Sequence, residues 1–242
     1  MRTTLLFILI WFGLFTTASA QNSILDSVFT LIYNQKYNSA EMLLESNKSN
    51  ITPVYFAVLA IDMAYWKNVI NDESKDYKVF ESQLQKYHQE LTENEDQKII
   101  QLITLSYQLR YELKRLRLFS AISTRKKALE LFLELSPSAN KLTTDQRELF
   151  KLYQSLVTYF DYYMKPPFSK NKKQQMDAAI RQMQQLTYAQ NHIVKTLSSY
   201  FLGKVYLRFE RDANKGKPYF LWLKQTYPGN TRFQELLDEC ES

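Results

Sequence analysis

Side chains that do most enzymatic chemistry are scarce in this chain. Its 242 residues include two histidines, His88 and His192, and one cysteine, Cys240. Neither histidine belongs to an HExxH metal motif, and the sequence has no CxxC, no Gly-x-Ser-x-Gly and no glycine-rich phosphate loop. His88 lies in the polar stretch Lys86-Tyr-His-Gln-Glu90, and His192 lies beside an expected helix start, so both read as surface or capping residues. Glu93, Glu95 and Asp96 suit the first turn of a helix rather than an acid-base pair. Cys240 sits between Glu239 and Glu241, whose charges disfavour its thiolate. The expectation is a protein that is not an enzyme, with no catalytic residue, no metal ligand and no cofactor.

Charge recognition is the chemistry left. Between 110 and 127 seven cations, Arg110, Lys114, Arg115, Arg117, Arg125, Lys126 and Lys127, face Glu112 alone. Arg110, Lys114 and Arg117 are spaced i, i+4, i+7 on a helix expected to run to about Leu118, so they share one face, which makes them a candidate anionic-surface site. The same residues near a helix C-terminus also complement its dipole and keep the surface soluble.

The N-terminus limits the partners. Met1-Arg2-Thr3-Thr4, the apolar run Leu5 to Phe15 and Ala18-Ser19-Ala20 match the three regions of a cleaved secretory signal. Residues 1–20 are therefore expected to leave and 21–242 to remain as one domain. Gln21, where a lipoprotein would need cysteine, points to an exported protein, periplasmic or secreted and soluble after cleavage. A lone cysteine precludes an intramolecular disulfide, so the core alone must hold the fold, as suits a bacterial periplasm. Export disfavours nucleic acid and leaves an acidic protein segment, an anionic lipid or a glycan as partners for the cations. Asn47-Lys-Ser49 and Asn50-Ile-Thr52 match the glycosylation sequon, which matters only in a eukaryotic source.

With four glycines and six prolines in the whole chain, little punctuates a sheet, and an all-α fold is expected. Apolar spacing divides it into about ten to eleven helices arranged in pairs. Thr52-Pro53 opens a buried helix from Val54, interrupted only by Asp62. Asn94 caps the next long helix, Ser120 or Ser123 its return, and Thr143 or Thr144 with Glu148 resembles a capping box. Pro166-Pro167 ends that last helix. Lys75 to Leu91 and Lys172 to Tyr188 carry narrow apolar stripes, as outer helices do, whereas Thr144 to Met164 is apolar on a broad front.

Near the C-terminus, Leu202, Gly203 and Tyr206 are followed by Gly216, Phe220, Leu223 and Pro228. Their order and offsets resemble a tetratricopeptide unit with a turn one residue longer than usual, and Tyr37, Ala40, Met42, Leu43 and Leu44 resemble its second helix. The resemblance implies a right-handed α-solenoid of antiparallel helix pairs, forming one elongated domain. It further implies a groove lined by the first helix of each pair, which in the last unit presents Tyr200, Lys204 and Arg208 to a protein or peptide partner of the cell envelope.

Overall fold

The computed structural model describes residues 23–70, 76–89 and 94–242. The expected signal segment lies outside the described residues, as do residues 71–75 and Leu91, the expected end of one outer helix. Among the described residues there is no strand. The helices are α1 over 23–33, α2 Tyr37–Ser46, α3 Pro53–Tyr65, α4 Tyr77–Gln89, α5 Glu95–Lys114 and α6 Leu118–Leu135. They continue with α7 Thr144–Tyr163, α8 Lys172–Leu186, α9 His192–Lys204, α10 Ala213–Thr226 and α11 Thr231–Glu241. No described helix is long and apolar enough to cross a membrane.

The chain stacks these helices as successive antiparallel pairs. α5 packs on α6, α7 on α8 and α9 on α10, while the first helices also pack in order, α3 on α5, α5 on α7 and α7 on α9. Burial follows this arrangement. α3 is buried from Val54 through Asp62, and α7 buries apolar side chains on a broad front from Leu149 to Tyr159, whereas α4 buries only Phe80, Leu84 and Tyr87 among its described side chains. First helices form an inner layer and second helices an outer one.

Four turns share a device that glycine usually supplies. Gln35, Leu116, Asn171 and Arg211 have φ of 61°, 56°, 58° and 54°, and each lies between the first and second helix of a pair. In the turn after α5, the Arg117 N–H donates to the Glu112 carbonyl at 2.8 Å and the Leu116 N–H to the Leu113 carbonyl at 3.1 Å. This pairing satisfies helix-end carbonyls around a left-handed residue, and the turn after α1 repeats it.

Some helix starts differ from expectation. α6 begins at Leu118 with no side-chain cap, because the left-handed turn at Leu116 already reverses the chain before Ser120 and Ser123. Thr143 caps α7 in a reciprocal capping box, but with Gln146 rather than Glu148, since only the third helical residue reaches back to the cap N–H. Asn94 caps α5 as expected, accepting from the Gln97 N–H at 2.9 Å.

The stack is not an open, elongated array: its two ends meet. Asn230, 0% exposed, donates from Nδ2 to the Tyr33 carbonyl at 2.8 Å and accepts from Gln35 Nε2 at 3.3 Å. The Gly229 N–H donates to Asn34 Oδ1 at 3.0 Å. Tyr33 packs its ring 5.3 Å from Trp66, 5.2 Å from Tyr227 and 6.1 Å from Phe233, so aromatics of α1, α3 and the C-terminal segment share one core. Asn230→Ala strands the buried Tyr33 carbonyl and removes the α11 cap. We expect a loss of about 2 kcal/mol, read as a lower urea midpoint at unchanged slope. An unchanged midpoint would mean that this contact between the ends contributes nothing.

Candidate functional site

α3 and α9 do not end as ordinary helices. Each widens into π-helical turns, Trp66–Ile70 and Val205–Glu210, a distortion that functional sites often carry. One result is that the Asp212 N–H reaches back to the Tyr206 carbonyl at 2.9 Å. At the other widened end, the Val69 carbonyl accepts from Lys114 Nζ at 2.8 Å.

Between these two widened ends lies a cavity of about 520 Å³. Its wall comes from α3, α5, α7, α9 and α11 with their extensions, so every contributing element is a first helix or the closing one. Tyr65, Phe160, Tyr163, Tyr200, Phe201 and Phe209 supply an aromatic surface. Arg110, Lys114, Lys204, Arg208 and Arg232 supply five cations, and among the described residues no carboxylate lines the cavity. Cations on low-dielectric walls focus a positive potential into this half-open cleft.

Sequence spacing placed these groups on two separate surfaces, and the fold brings most of them together. Tyr200, Lys204 and Arg208 all line the cavity. Tyr200 is 3% exposed and wedged between Trp66 at 5.2 Å and Phe233 at 6.2 Å, so it serves as wall. Lys204 is half-buried, with its ammonium 5.6 Å from the Tyr200 ring. Burial depresses its pKa, with Arg232, Arg110 and Arg208 adding to the effect against the opposing influence of Tyr65. Arg208 is exposed and pairs with Glu239, which also takes Arg232 at 3.3 Å.

The stripe of Arg110, Lys114 and Arg117 splits. Arg110 and Lys114 turn into the cavity wall. Arg117 does not share their face, because α5 stops at Lys114 and the left-handed Leu116 redirects the chain; it bonds Glu81 at 2.8 Å instead.

Arg110 is the most constrained of the cations. Its guanidinium lies 3.8 Å from the Tyr107 ring centre, 4.5 Å from Phe201 and 4.8 Å from Tyr65. Nε and Nη2 make no hydrogen bond among the described residues. Burial opposes its charge, but Tyr107, Tyr65, Tyr153 and Asp62 outweigh burial and hold its pKa above the ordinary value. Beneath it the buried Asp62 accepts from the Tyr107 hydroxyl. Burial pushes Asp62 up to about 6, against the lowering effects of the Tyr107 bond and Arg110.

The remaining singled-out residues take structural positions. His88 bonds Gln108 at 2.8 Å, linking α4 to α5. His192 opens α9, 3.1 Å from the Tyr227 hydroxyl and 3.7 Å from Asp26. Cys240 is partly buried, and burial raises its thiol pKa before Glu241 adds to the shift. Among the described residues no three His, Cys, Asp or Glu side chains converge as a metal site would require. Sequence reasoning missed Asp62 as a site residue, although it stood out as the one charge in the apolar run from Val54 to Ala64. Arg232 gave no signal, because α11 reaches the cavity only through closure of the stack. Comparison with protein families, curated proteins and solved structures finds no match to this chain.

Proposed function

We propose that this chain is an exported, non-enzymatic binding module of the bacterial cell envelope, built as a right-handed, tetratricopeptide-like superhelix. Its groove takes the acidic end of a partner segment, a carboxylate carried next to an apolar side chain. One observation supports this reading above others: five cations line an aromatic cavity made by the first helices and α11, and among the described residues no carboxylate lines it beside them, although Glu239 pairs with Arg208 and Arg232. Arg110 and Lys204 are already partly removed from water, so an arriving carboxylate finds donors whose hydration has been reduced during folding. Tyr163, Phe160 and Phe209 offer the apolar side chain a surface to cover.

Binding of labelled peptides ending in Phe or Leu tests it, each with a free α-carboxylate or its amide. The carboxylate forms are expected to bind at least about tenfold more tightly, a margin typical of one charge-assisted pair. Lys204→Glu should remove that preference. Equal binding of the amide, or a preference untouched by Lys204→Glu, would defeat the carboxylate assignment. The competing reading, a peripheral binder of anionic lipid or glycan through Arg110, Lys114 and Arg117, loses support because two of the three enter the cavity wall and the third pairs with Glu81.

A further inference from the structure

The turn joining α5 to α6 breaks a local rule without any compensation inside the fold. Leu116 occupies the left-handed position, where glycine or asparagine carries less strain, and its side chain is 80% exposed. It therefore gains no packing in return. Leu118, Phe119 and Ile122 follow it, and Phe119 is 92% exposed although it opens an otherwise ordinary helix. Four large apolar side chains thus cluster on the tip of one helix pair.

The chain that forms the tip is strongly basic. From Leu113 to Leu129 the sequence holds six cations and no carboxylate. Arg115 lies over the Tyr77 ring at 4.3 Å, while Lys126 and Lys127 are exposed on the first turns of α6. The neighbouring pair repeats the composition on the same end of the stack. Arg125 of α6 contacts Asp161 at 3.5 Å near the end of α7, and the turn that follows carries Phe168, 90% exposed, among Lys165, Lys170 and Lys173. Glu81 pairs with Arg117, Asp161 with Arg125 and Lys165, and Glu130 with Lys126, but cations outnumber these carboxylates. An apolar tip ringed by an excess of cations is complementary to an interface that is negative at its surface and apolar beneath.

We propose that this end of the molecule docks on an anionic lipid bilayer, with Leu116 and Phe119 entering the headgroup boundary and the surrounding lysines and arginines meeting lipid phosphates. The groove plays no part in this, so the proposal stands whether or not a peptide carboxylate binds there. It differs from attraction through a flat basic face, because the apolar side chains carry part of the affinity.

Co-sedimentation of the chain from Gln21 onward, which contains every described element, tests it on phosphatidylcholine vesicles with and without about a third phosphatidylglycerol. Wild type is expected to sediment with the anionic vesicles and not with the neutral ones. The double substitution Leu116→Ser and Phe119→Ser should weaken that binding about tenfold or more, and Lys126→Glu with Lys127→Glu should do the same. Both sites are exposed, and unchanged circular dichroism and melting would show the variants folded. Failure of wild type to sediment with anionic vesicles, or full retention of binding by the Leu116, Phe119 variant, would overturn the proposal.

Discussion

Arg110→Met is expected to lower the unfolding free energy by about 3 kcal/mol near pH 7.5, and by clearly less near pH 5. Methionine keeps most of the stem volume between Tyr65, Tyr107 and Phe201, so little of the loss comes from a cavity. It removes the cation that the buried Asp62 carboxylate faces. Asp62 already titrates at about 6, above its ordinary value, so its contribution to stability is fully present below about pH 4 and declines as pH rises through 6. Without Arg110 the folded state holds the Asp62 proton still more tightly, and the penalty for ionising or retaining it grows with pH. The groups facing this carboxyl are Arg110, Tyr107, which donates to it, and Tyr33. Urea unfolding at several pH values reads the effect. Asp62→Asn in the Arg110→Met background should restore most of the stability near neutral pH and flatten its pH dependence. A loss that is the same at both pH values, or that Asp62→Asn does not relieve, would show that Arg110 acts through packing alone.

That pair also marks the boundary of what the sequence discloses. Helix order, the broad burial of α7 and the narrow stripes of α4 and α8 follow from local spacing, because each depends on one segment and the side of it that must leave water. The intra-pair turns were harder to place. Gln35, Leu116 and Arg211 occupy positions where glycine would have announced a helix end, and the chain tolerates the strain instead. The consequence at α5 was concrete: Arg117 was assigned to a helix face that ends three residues earlier, at Lys114.

Closure of the stack was invisible for a different reason. Tyr33 and Asn230 meet across 197 positions, and no periodicity encodes a contact at that separation. The same holds for the cavity. Arg110, Lys204 and Arg232 come from three distant helices, and only their joint packing against the aromatic wall turns two apparent surface stripes into one cationic cleft.

Gly203→Leu is expected to cost about 3 kcal/mol and to impair the groove as well. A Cβ on Gly203 would lie 2.9 Å from two carbons of the Phe220 ring, which is fully buried and has no free side to turn toward. On the facing helix, a Cβ on Gly216 would lie 3.1 Å from the Gly203 carbonyl oxygen. α9 and α10 therefore approach nearly backbone to backbone at this crossing, and only glycine permits that distance. Leucine improves helix propensity by up to about 1 kcal/mol, too little to offset the overlap. The overlap must push α9 away from α10, toward the cavity side, where Lys204 and Arg208 follow directly in sequence. Phe220→Ala alone should also destabilise, by about 3 kcal/mol or more, because it empties a buried ring site. Combined, the two substitutions should cost about 2 kcal/mol less than their sum, as the leucine fills part of the space the ring vacates. Additive losses in that cycle would place the strain elsewhere. A Gly203→Leu protein as stable as wild type would show that the close crossing of α9 and α10 is not required by the fold.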